Sequence, residues 1–376
     1  MDLSYTETQD MLRDTLARFL ADTYDFETRK KMLASPEGRD PGIWRALSSE
    51  LGLTSAPFAE EYGGMGGGYL ENAIMMEELG KVIAIEPWLQ TVVIGGGALQ
   101  AVGGAVAAEV IPQIISGDCI TAFAYAEPQG RYNLADIGTT AKQDGSGYVL
   151  NGHKAAVYAA PWATHLLVTA RTGGNRRERA GVELFLVDAK AAGITMREYA
   201  MVDGFRGAEV YFENVSIPAE ALLPGGIDLI ERVVDEATVA ICAEGTGIAR
   251  KLLEGTVEYT KQRKQFGQPI GKFQALQHRM ADMLVDAEQI ASMSLMGTLK
   301  LGLPAEQRKA AVSQVKAKVA RSIKAVGQNA VQTHGGIGIT MELAIGHYFK
   351  RSTMIENQFG TPDWHLERYE ALTLPA

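Results

Sequence analysis

The chain has 376 residues, of which 46% are hydrophobic, so it is long and apolar enough for a large core and for two or three domains. Its formal net charge of −9 argues against nucleic acid as the main partner. There is no apolar run of the ~20 residues that a membrane span needs and no signal peptide, and Cys119 and Cys242 lie far apart, which favours a reducing, cytoplasmic location without disulfides.

Residues 1–118 are predicted to form a helical domain. One stripe of a 3.6-residue period holds five apolar side chains: Met11, Leu12, Leu16, Phe19 and Leu20. Residues 74–83 are a second helical segment. The glycine-rich stretch 63–68 between them lacks the lysine and the preceding strand of a phosphate-binding loop, so we predict an ordinary flexible loop there.

Residues 119–222 change to a β pattern and form the second predicted domain, a barrel or sandwich. Asn151 and Gly152 favour the tight turn of a hairpin, because both residue types tolerate left-handed backbone angles. Three further strands are predicted: 165–170, 183–187 and 209–217.

Residues 223–376 form the third predicted domain. Four long helical segments are expected: 227–262, 272–301, 305–334 and 339–358. Pro304 separates the second segment from the third. Helices of about 30 residues are typical of a four-helix bundle. The predicted fold class is therefore α+β, with an N-terminal helical domain, a middle β domain and a C-terminal four-helix bundle.

Two short segments of the predicted bundle suit a dinucleotide. The sequence RKQFGQPIG at 263–271 follows the first bundle helix, and QTHGGIG at 332–338 places three glycines just after the third. Together they offer a guanidinium, an aromatic ring, side-chain amides and backbone N–H groups that no Cβ shields, which a pyrophosphate and a nucleotide ring require. Each segment alone is weak evidence for a binding site, because an isolated Arg-x-x-Phe-Gly is more often a helix terminus followed by a core ring. The pair indicates a binding site.

Residues 259–283 and 332–338 resemble the acyl-CoA dehydrogenase family, and PFAEEYGG at 57–64 is a weaker match. The resemblance covers nearly the whole chain and is closest to the small subunits of pimeloyl-CoA dehydrogenases. It implies the same three-domain fold, FAD as the cofactor, an acyl-CoA thioester as the substrate and an electron-transfer flavoprotein as the electron acceptor. In this chemistry a carboxylate removes the α proton while the flavin accepts a hydride from the β carbon.

The resemblance also implies which residues hold FAD. Six would bind its adenosine and pyrophosphate, reaching across a dimer interface to FAD on the neighbouring subunit: Arg263, Gln265, Phe266, Gln332, Gly335 and Gly336. The flavin-ring end departs from the family. Ala126 replaces a hydroxyl residue before Glu127, and Ala156 and Tyr158 stand where the family has Trp-x-Thr. We therefore expect this chain to hold the flavin ring poorly by itself.

The position of the catalytic base is the second respect in which this chain differs from the family. One of the family's two carboxylate positions corresponds to Gly360 and the other to Ala237. Glu244, seven residues after Ala237 on the same helix face, lies in an apolar run and is the candidate base. The alternative is a structural pair between Glu244 and an arginine or histidine of the bundle.

Three functions stay open at this point. In the first, the chain is a subunit of an α2β2 acyl-CoA dehydrogenase whose homologous partner supplies the flavin-ring site and the base. Alternatively, it is a self-sufficient homo-oligomeric dehydrogenase that uses Glu244, or a non-catalytic scaffold that kept the fold. The sequence has no set of histidine, cysteine and carboxylate residues at metal-ligand spacing, so we predict no metal.

Overall fold

The computed structural model describes residues 4–374. That part of the chain contains eleven α-helices: α1 (Glu7–Thr23), α2 (Phe26–Ala34), α3 (Pro41–Arg45), α4 (Tyr69–Lys81), α5 (Gly97–Val102), α6 (Gly104–Ser116), α7 (Gly226–Gln262), α8 (Gln274–Lys300), α9 (Ala305–His334), α10 (Ala344–Asn357) and α11 (Pro362–Thr373). It also contains ten strands: β1 (Thr121–Ala124), β2 (Thr140–Asp144), β3 (Gly147–Tyr158), β4 (His165–Arg171), β5 (Val182–Asp188), β6 (Ile194–Ala200), β7 (Arg206–Ile217), β8 (Leu222–Leu223), β9 (Lys264–Gln265) and β10 (Gln268–Pro269).

These elements confirm the predicted fold class, since helices come first, a β domain follows and long helices end the chain. The chain divides into two compact units that do not follow this order. The first unit comprises the residues up to Lys31, Tyr69–Ala84 and the residues from Thr238 onward, and the second comprises Met32–Gly68 and Ile85–Ala237. Helix α7 contributes residues to both units.

The second unit contains the eight-stranded sheet, in the order β6-β7-β3-β2-β4-β5-β8 with β1 paired to β4. The β1–β4 pairing is parallel, and β3 pairs antiparallel with both β2 and β7. The strands predicted at 165–170, 183–187 and 209–217 are confirmed as β4, β5 and β7. Buried side chains from several strands form the core of this domain, among them Leu150, Val168, Phe185, Val210 and Phe212.

The hairpin predicted at Asn151-Gly152 is wrong. The turn lies earlier, at residues 145–146, because Asp144 pairs with Gly147 across it. Asn151 and Gly152 lie inside β3, where the register with β7 shifts. The Asn151 side chain accepts a hydrogen bond there from the backbone N–H of Asn214, at 2.9 Å. The Asn-Gly pair thus marks a β-bulge, which favours the same small, permissive residues as a tight turn.

The first unit is built around α9. This helix packs against α8, α10 and α11, and its buried face carries Val312, Val315, Val319, Ile323 and Val326. The four predicted bundle helices are confirmed, although the last begins at Ala344 rather than at residue 339. An unpredicted helix, α11, follows them: the Thr361 side chain caps it and Pro362 occupies its first position, as helix starts commonly do.

The N-terminal helix α1 belongs to the same unit and packs against α4. Thr6 and Gln9 form a capping box at its start. Leu12, Leu16 and Leu20 are buried as the predicted stripe requires, whereas Met11 is exposed. The stripe is therefore narrower than the sequence indicates.

Candidate functional site

The first predicted binding segment is a tight hairpin at the end of α7. The backbone N–H of Arg263 donates to the Tyr259 carbonyl at 2.8 Å, which closes the helix. Strands β9 and β10 follow, and Phe266 and Gly267 form the turn between them with φ angles of +50° and +76°. Such a turn requires left-handed angles at both central positions. Glycine adopts them freely, whereas phenylalanine does so at a cost in backbone strain.

Phe266 is an exposed aromatic ring on a backbone with a positive φ angle. Its side chain is 91% exposed, and its ring meets the Phe273 ring edge-on at a centroid distance of 6.0 Å. A large apolar ring on a strained turn contributes little to folding when it is this exposed. An observed outlier of this kind is grounds for a functional hypothesis.

The second predicted segment begins where α9 ends. Gly335 terminates the helix with φ +66° and ψ −148°. Gly335 and Gly336 are both exposed, and a Cβ added at either would meet no described atom within 4 Å. Their backbone is therefore open to close approach by a ligand.

The two segments lie side by side in the first unit. Tyr259, one turn before Arg263, stacks on the His334 ring at a centroid distance of 4.3 Å. Its hydroxyl group donates to the His334 carbonyl at 3.4 Å, and His334 immediately precedes Gly335. The sequence predicted both segments but not the aromatic contact that joins them.

The polar side chains of this region are available to a ligand. Arg263, Gln265 and Gln332 are all exposed, and none has a side-chain hydrogen bond or ion pair with another residue between 4 and 374. A cation, two amides, an exposed ring and two unshielded glycines suit the adenosine and pyrophosphate of a dinucleotide. All six residues predicted from the sequence are exposed, and the two segments that carry them are joined by the Tyr259–His334 contact.

Glu127, in the second unit, has a structural role. Its carboxylate accepts hydrogen bonds from Lys154 Nζ at 2.8 Å and from the backbone N–H groups of Gly138 and Thr139 at 2.7 and 3.0 Å. Burial alone would raise the pKa of Glu127, but the Lys154 ammonium and the bonds from Thr139 lower it to about 2. The ionised carboxylate therefore holds the loop after β1 against β3.

Glu244, the candidate base, is paired with an arginine. Its two carboxylate oxygens accept hydrogen bonds from Arg351 Nε and Nη2, at 2.6 and 2.7 Å, and both side chains are buried. The bidentate guanidinium thus engages both oxygens on which a substrate proton would be received. The geometry favours the structural pair that the sequence left open as the alternative.

Comparison with known proteins identifies the family. Three sequence profiles match in succession: the acyl-CoA dehydrogenase N-terminal domain at residues 6–118, the middle domain at 122–215 and the C-terminal domain at 225–370. The acyl-CoA dehydrogenase IpdE2 of Mycolicibacterium smegmatis is 30% identical over 369 residues, covering 97% of this chain and 99% of that protein. The chain belongs to the acyl-CoA dehydrogenase family.

Two solved structures with a similar fold are informative. The ChsE4-ChsE5 complex from Mycobacterium tuberculosis matches with a TM-score of 0.90, 26% identity and full coverage of both chains. PigA, solved with FAD and proline, matches with a TM-score of 0.90 and 25% identity over 99% of this chain and 98% of its own. The predicted cofactor, FAD, is confirmed at the level of the family. None of these matches points to pimeloyl-CoA dehydrogenase in particular, so that narrower resemblance stays a prediction.

Within this acyl-CoA dehydrogenase fold, the two departures at the flavin-ring end are neighbours. The backbone N–H of Ala155 donates to the Ala126 carbonyl at 2.9 Å, which places Ala126 beside Ala156. Ala156 is exposed and has a φ of +51°. Both positions carry only a methyl group, so neither offers the hydroxyl or the indole of the family pattern. Weak retention of the flavin ring by this chain alone remains a prediction.

Gly360, which aligns with the family's C-terminal carboxylate, has no room for a side chain. Its φ is +125°, and a Cβ there would lie 2.6 Å from both His365 Nε2 and Trp364 Cε3. Its carbonyl accepts a hydrogen bond from the buried Lys316 Nζ at 2.8 Å. The other family position, Ala237, is fully buried. The sequence indicated that a carboxylate is missing at Gly360 but not that neighbouring rings fill its space.

Residues 4–374 include no helix that combines the length and the apolar character needed to cross a bilayer. Cys119 and Cys242 are both buried, and neither is in a disulfide.

Proposed function

We propose that this chain is a subunit of an FAD-dependent acyl-CoA dehydrogenase that catalyses α,β-dehydrogenation of an acyl-CoA thioester in an α2β2 complex. A homologous partner subunit supplies the catalytic carboxylate. One contrast carries the proposal: the residues that bind the adenosine side of FAD are exposed and unpaired, whereas Gly360 cannot carry a base and Glu244 is bound to Arg351.

The roles of the residues follow from their chemistry. When bound, FAD supplies the hydride acceptor. Arg263 neutralises pyrophosphate charge, and Phe266 offers a face on which adenine stacks. The backbone N–H groups at Gly335 and Gly336 approach the phosphate oxygens closely because no Cβ intervenes. Gln265 and Gln332 add neutral hydrogen bonds.

The exposure of these groups supports a site that a second subunit completes. A dinucleotide held by one exposed turn and two glycines would be largely in water, where charge-assisted bonds are weak. The ChsE4-ChsE5 complex, a relative with two differently named components, gives a precedent for a heteromeric assembly of this fold. An electron-transfer flavoprotein as the electron acceptor is part of the same proposal.

The test is expression of the chain alone and together with a homologous subunit. We expect the chain alone to be poor in flavin and inactive, and the co-purified pair to contain FAD and to dehydrogenate acyl-CoA thioesters. Absorbance at the flavin bands gives the FAD content, and reduction of an artificial electron acceptor gives the activity. A yellow, active protein obtained from this chain alone would reject the two-subunit proposal.

A non-catalytic scaffold is the second candidate, and the occupied space at Gly360 favours it. It predicts that the assembled complex contains FAD only at sites to which this chain contributes no residue. Substitution of Arg263 would then leave the FAD content of the complex unchanged.

A further inference from the structure

A cavity of about 250 Å³ opens on the surface of the first unit. It lies where the end of α1, the start of α2, the end of α4, helix α7 and the start of α10 meet, and all its lining residues belong to that unit. It opens to solvent beside Ala21 and Asp25, which are exposed. Because a protein cavity of ~150 Å³ already binds benzene, this one has room for a ring that carries a short substituent.

The interior of the cavity is apolar and largely aromatic. Leu20, Tyr24 and Ile83 are each 2% exposed and form its buried part. Phe26 and Tyr348 add two further rings to the lining. Three rings around one space favour a compact, flat ligand, since contacts between rings add to the gain from removing apolar surface from water.

Hydrogen bonds between helices hold the walls of the cavity together. The buried Arg29 of α2 donates from Nε to the Ile83 carbonyl, just after α4, at 2.7 Å. The Tyr348 hydroxyl of α10 donates to the Lys81 carbonyl at the end of α4, at 2.5 Å. The end of α4 is thus bonded to two other helices, so the cavity has its shape before any ligand arrives, which lowers the cost of binding.

Ile83 is a backbone outlier in the wall of the cavity. Its φ is +47°, an angle that a β-branched residue rarely adopts. Residues in such conformations persist only where their surroundings hold them, as the bond from Arg29 does here, and they cluster at ligand-binding positions. This outlier therefore adds to the grounds for a ligand in the cavity.

Two lysines from different helices line the cavity, Lys81 from α4 and Lys251 from α7. Lys81 Nζ donates to Glu78 at 2.5 Å, and Lys251 Nζ donates to Glu254 at 2.8 Å. Neither ammonium group has another hydrogen bond within residues 4–374. Because an ammonium group has three N–H donors, two donors on each lysine remain for a ligand.

The charges around the cavity favour an anion. The buried Glu78 balances the charge of Lys81, whereas Glu254 is 67% exposed and balances Lys251 only weakly. Asp25 is already engaged, since its carboxylate accepts a hydrogen bond from the backbone N–H of Thr28 at 2.6 Å. Lys251 therefore supplies positive charge, and both lysines supply donors that lack acceptors. A carboxylate satisfies the donors and balances the charge, whereas a neutral amide balances no charge.

We propose that this cavity binds a small aromatic carboxylate. The ring packs against Tyr24, Phe26 and Tyr348, and the carboxylate accepts hydrogen bonds from Lys81 and Lys251. The cavity shares no lining residue with the segments 263–271 and 332–338, so the ligand should bind whether or not FAD is present.

The test compares phenylacetate with phenylacetamide, which has the same ring and shape but no charge. Each is titrated calorimetrically into the full chain. We expect phenylacetate to bind tenfold or more tightly than phenylacetamide, because its bonds to the lysines are charge-assisted. Acetate, which lacks the ring, should give no binding at concentrations that saturate the chain with phenylacetate. Raising the salt concentration from about 0.05 M to about 0.5 M should weaken the binding of phenylacetate and leave that of phenylacetamide unchanged.

Two variants remove the two parts of the site separately. Lys251→Met should reduce the preference for phenylacetate over phenylacetamide to less than threefold. Ala344→Phe, which fills the cavity from the first residue of α10, should abolish the binding of both. Lys261→Met is the matched control and should leave both affinities unchanged, because Lys261 pairs with Glu258 on the same helix as Lys251 but does not line the cavity.

Thermal melting monitored by circular dichroism shows whether each variant is folded, and Lys251→Met decides alone if Ala344→Phe melts below the wild type. Equal affinities of the wild type for phenylacetate and phenylacetamide, or a preference that survives in Lys251→Met, would overturn the proposal. The absence of any binding of millimolar phenylacetate would overturn it as well. The dehydrogenase function is measured separately, by FAD content and by reduction of the electron acceptor, so it stands or fails independently of these results.

Discussion

Glu244 and Arg351 determine each other's role. Arg351 donates hydrogen bonds to both carboxylate oxygens of Glu244, which makes them poor acceptors of a substrate proton, and the Glu244 carboxylate offsets the charge of a buried guanidinium. The cost of breaking such a pair greatly exceeds the value of an exposed one, because the remaining charge stays in a poorly solvated interior. The two possible roles of Glu244 therefore predict different measurements.

Glu244→Gln should lower the free energy of unfolding by about 3–5 kcal/mol, because it removes one charged partner of a buried bidentate ion pair. Chemical denaturation monitored by circular dichroism measures the change. Glu254→Gln is the matched control on the same helix: Glu254 pairs with Lys251 at an exposed site, and its loss should cost less than about 1 kcal/mol. Unchanged stability of Glu244→Gln, with α-proton exchange abolished and flavin retained, would instead identify Glu244 as the base.

Gly360 yields the complementary prediction. Introducing the missing carboxylate as Gly360→Glu should not create activity in this chain, because His365 and Trp364 occupy the space and the backbone angle disfavours a side chain. The substitution should destabilise the fold by about 1–3 kcal/mol. Gly302→Glu introduces the same side chain where no described atom lies within 4 Å of a Cβ, and it should change stability by less than about 0.5 kcal/mol. Dehydrogenase activity in purified Gly360→Glu would contradict this interpretation.

Single residues also mark the limit of what the sequence predicts. The six residues predicted to bind FAD and the glycine at the family's carboxylate position are recognisable because they belong to short, ordered patterns. The partners of Glu244 and Gly360 are not, since Arg351 is 107 residues from Glu244 and Lys316 is 44 residues from Gly360. Only tertiary packing brings them together.

At the scale of elements, periodicity predicted the long helices well because their burial repeats every 3.6 residues over many turns. The sequence patterns failed where the same residue types suit two different local structures. The Asn-Gly pair suits a bulge as well as a hairpin turn, and the pairing of β3 with β7, which decides between them, is set by strands far apart in the chain. Helix α11 carries a clear start signal at Thr361 and Pro362, but its short length gives a weak periodic pattern.

Lys316 connects α9 with α10 and with the turn before α11, and its burial gives a pH-dependent prediction. From α9, its ammonium donates to the carbonyls of Glu356, in α10, and of Gly360, at the start of the turn into α11, at 3.0 and 2.8 Å. Burial lowers the pKa of Lys316 to about 8, below the ordinary value of 10.5. Between these two values the unfolded chain binds more protons than the folded chain, so this group makes stability rise with pH across that window.

The free energy of unfolding of the wild type, measured relative to Lys316→Met, should therefore increase from pH 8 to pH 10.5 and be flat below pH 8. Urea denaturation at a series of pH values measures the difference. Lys318→Met removes a more exposed lysine two residues along the same helix and corrects for the general effect of losing a positive charge. A difference between wild type and Lys316→Met that falls as the pH rises through this window would show that Lys316 is not buried as described.

At the scale of the whole molecule, the proposed complex makes FAD affinity a joint property of two chains. The surface around Phe266 contributes little to folding, so substitutions there should separate cofactor binding from stability. The double variant Arg263→Met, Phe266→Ser should leave the melting temperature of the isolated chain within about 2 °C of the wild type, since both side chains are exposed.

In the co-expressed complex, the same double variant should lose most of its bound FAD, because it removes the cation proposed to bind the pyrophosphate and the ring proposed to stack on the adenine. Flavin absorbance after gel filtration gives the stoichiometry, and the elution volume reports whether the complex stays assembled. Lys261→Met removes an exposed cation from the last turn of α7 and should retain FAD, which controls for net charge. Full FAD content in the assembled double variant would mean that this chain contributes no cofactor contact and that the scaffold function is correct.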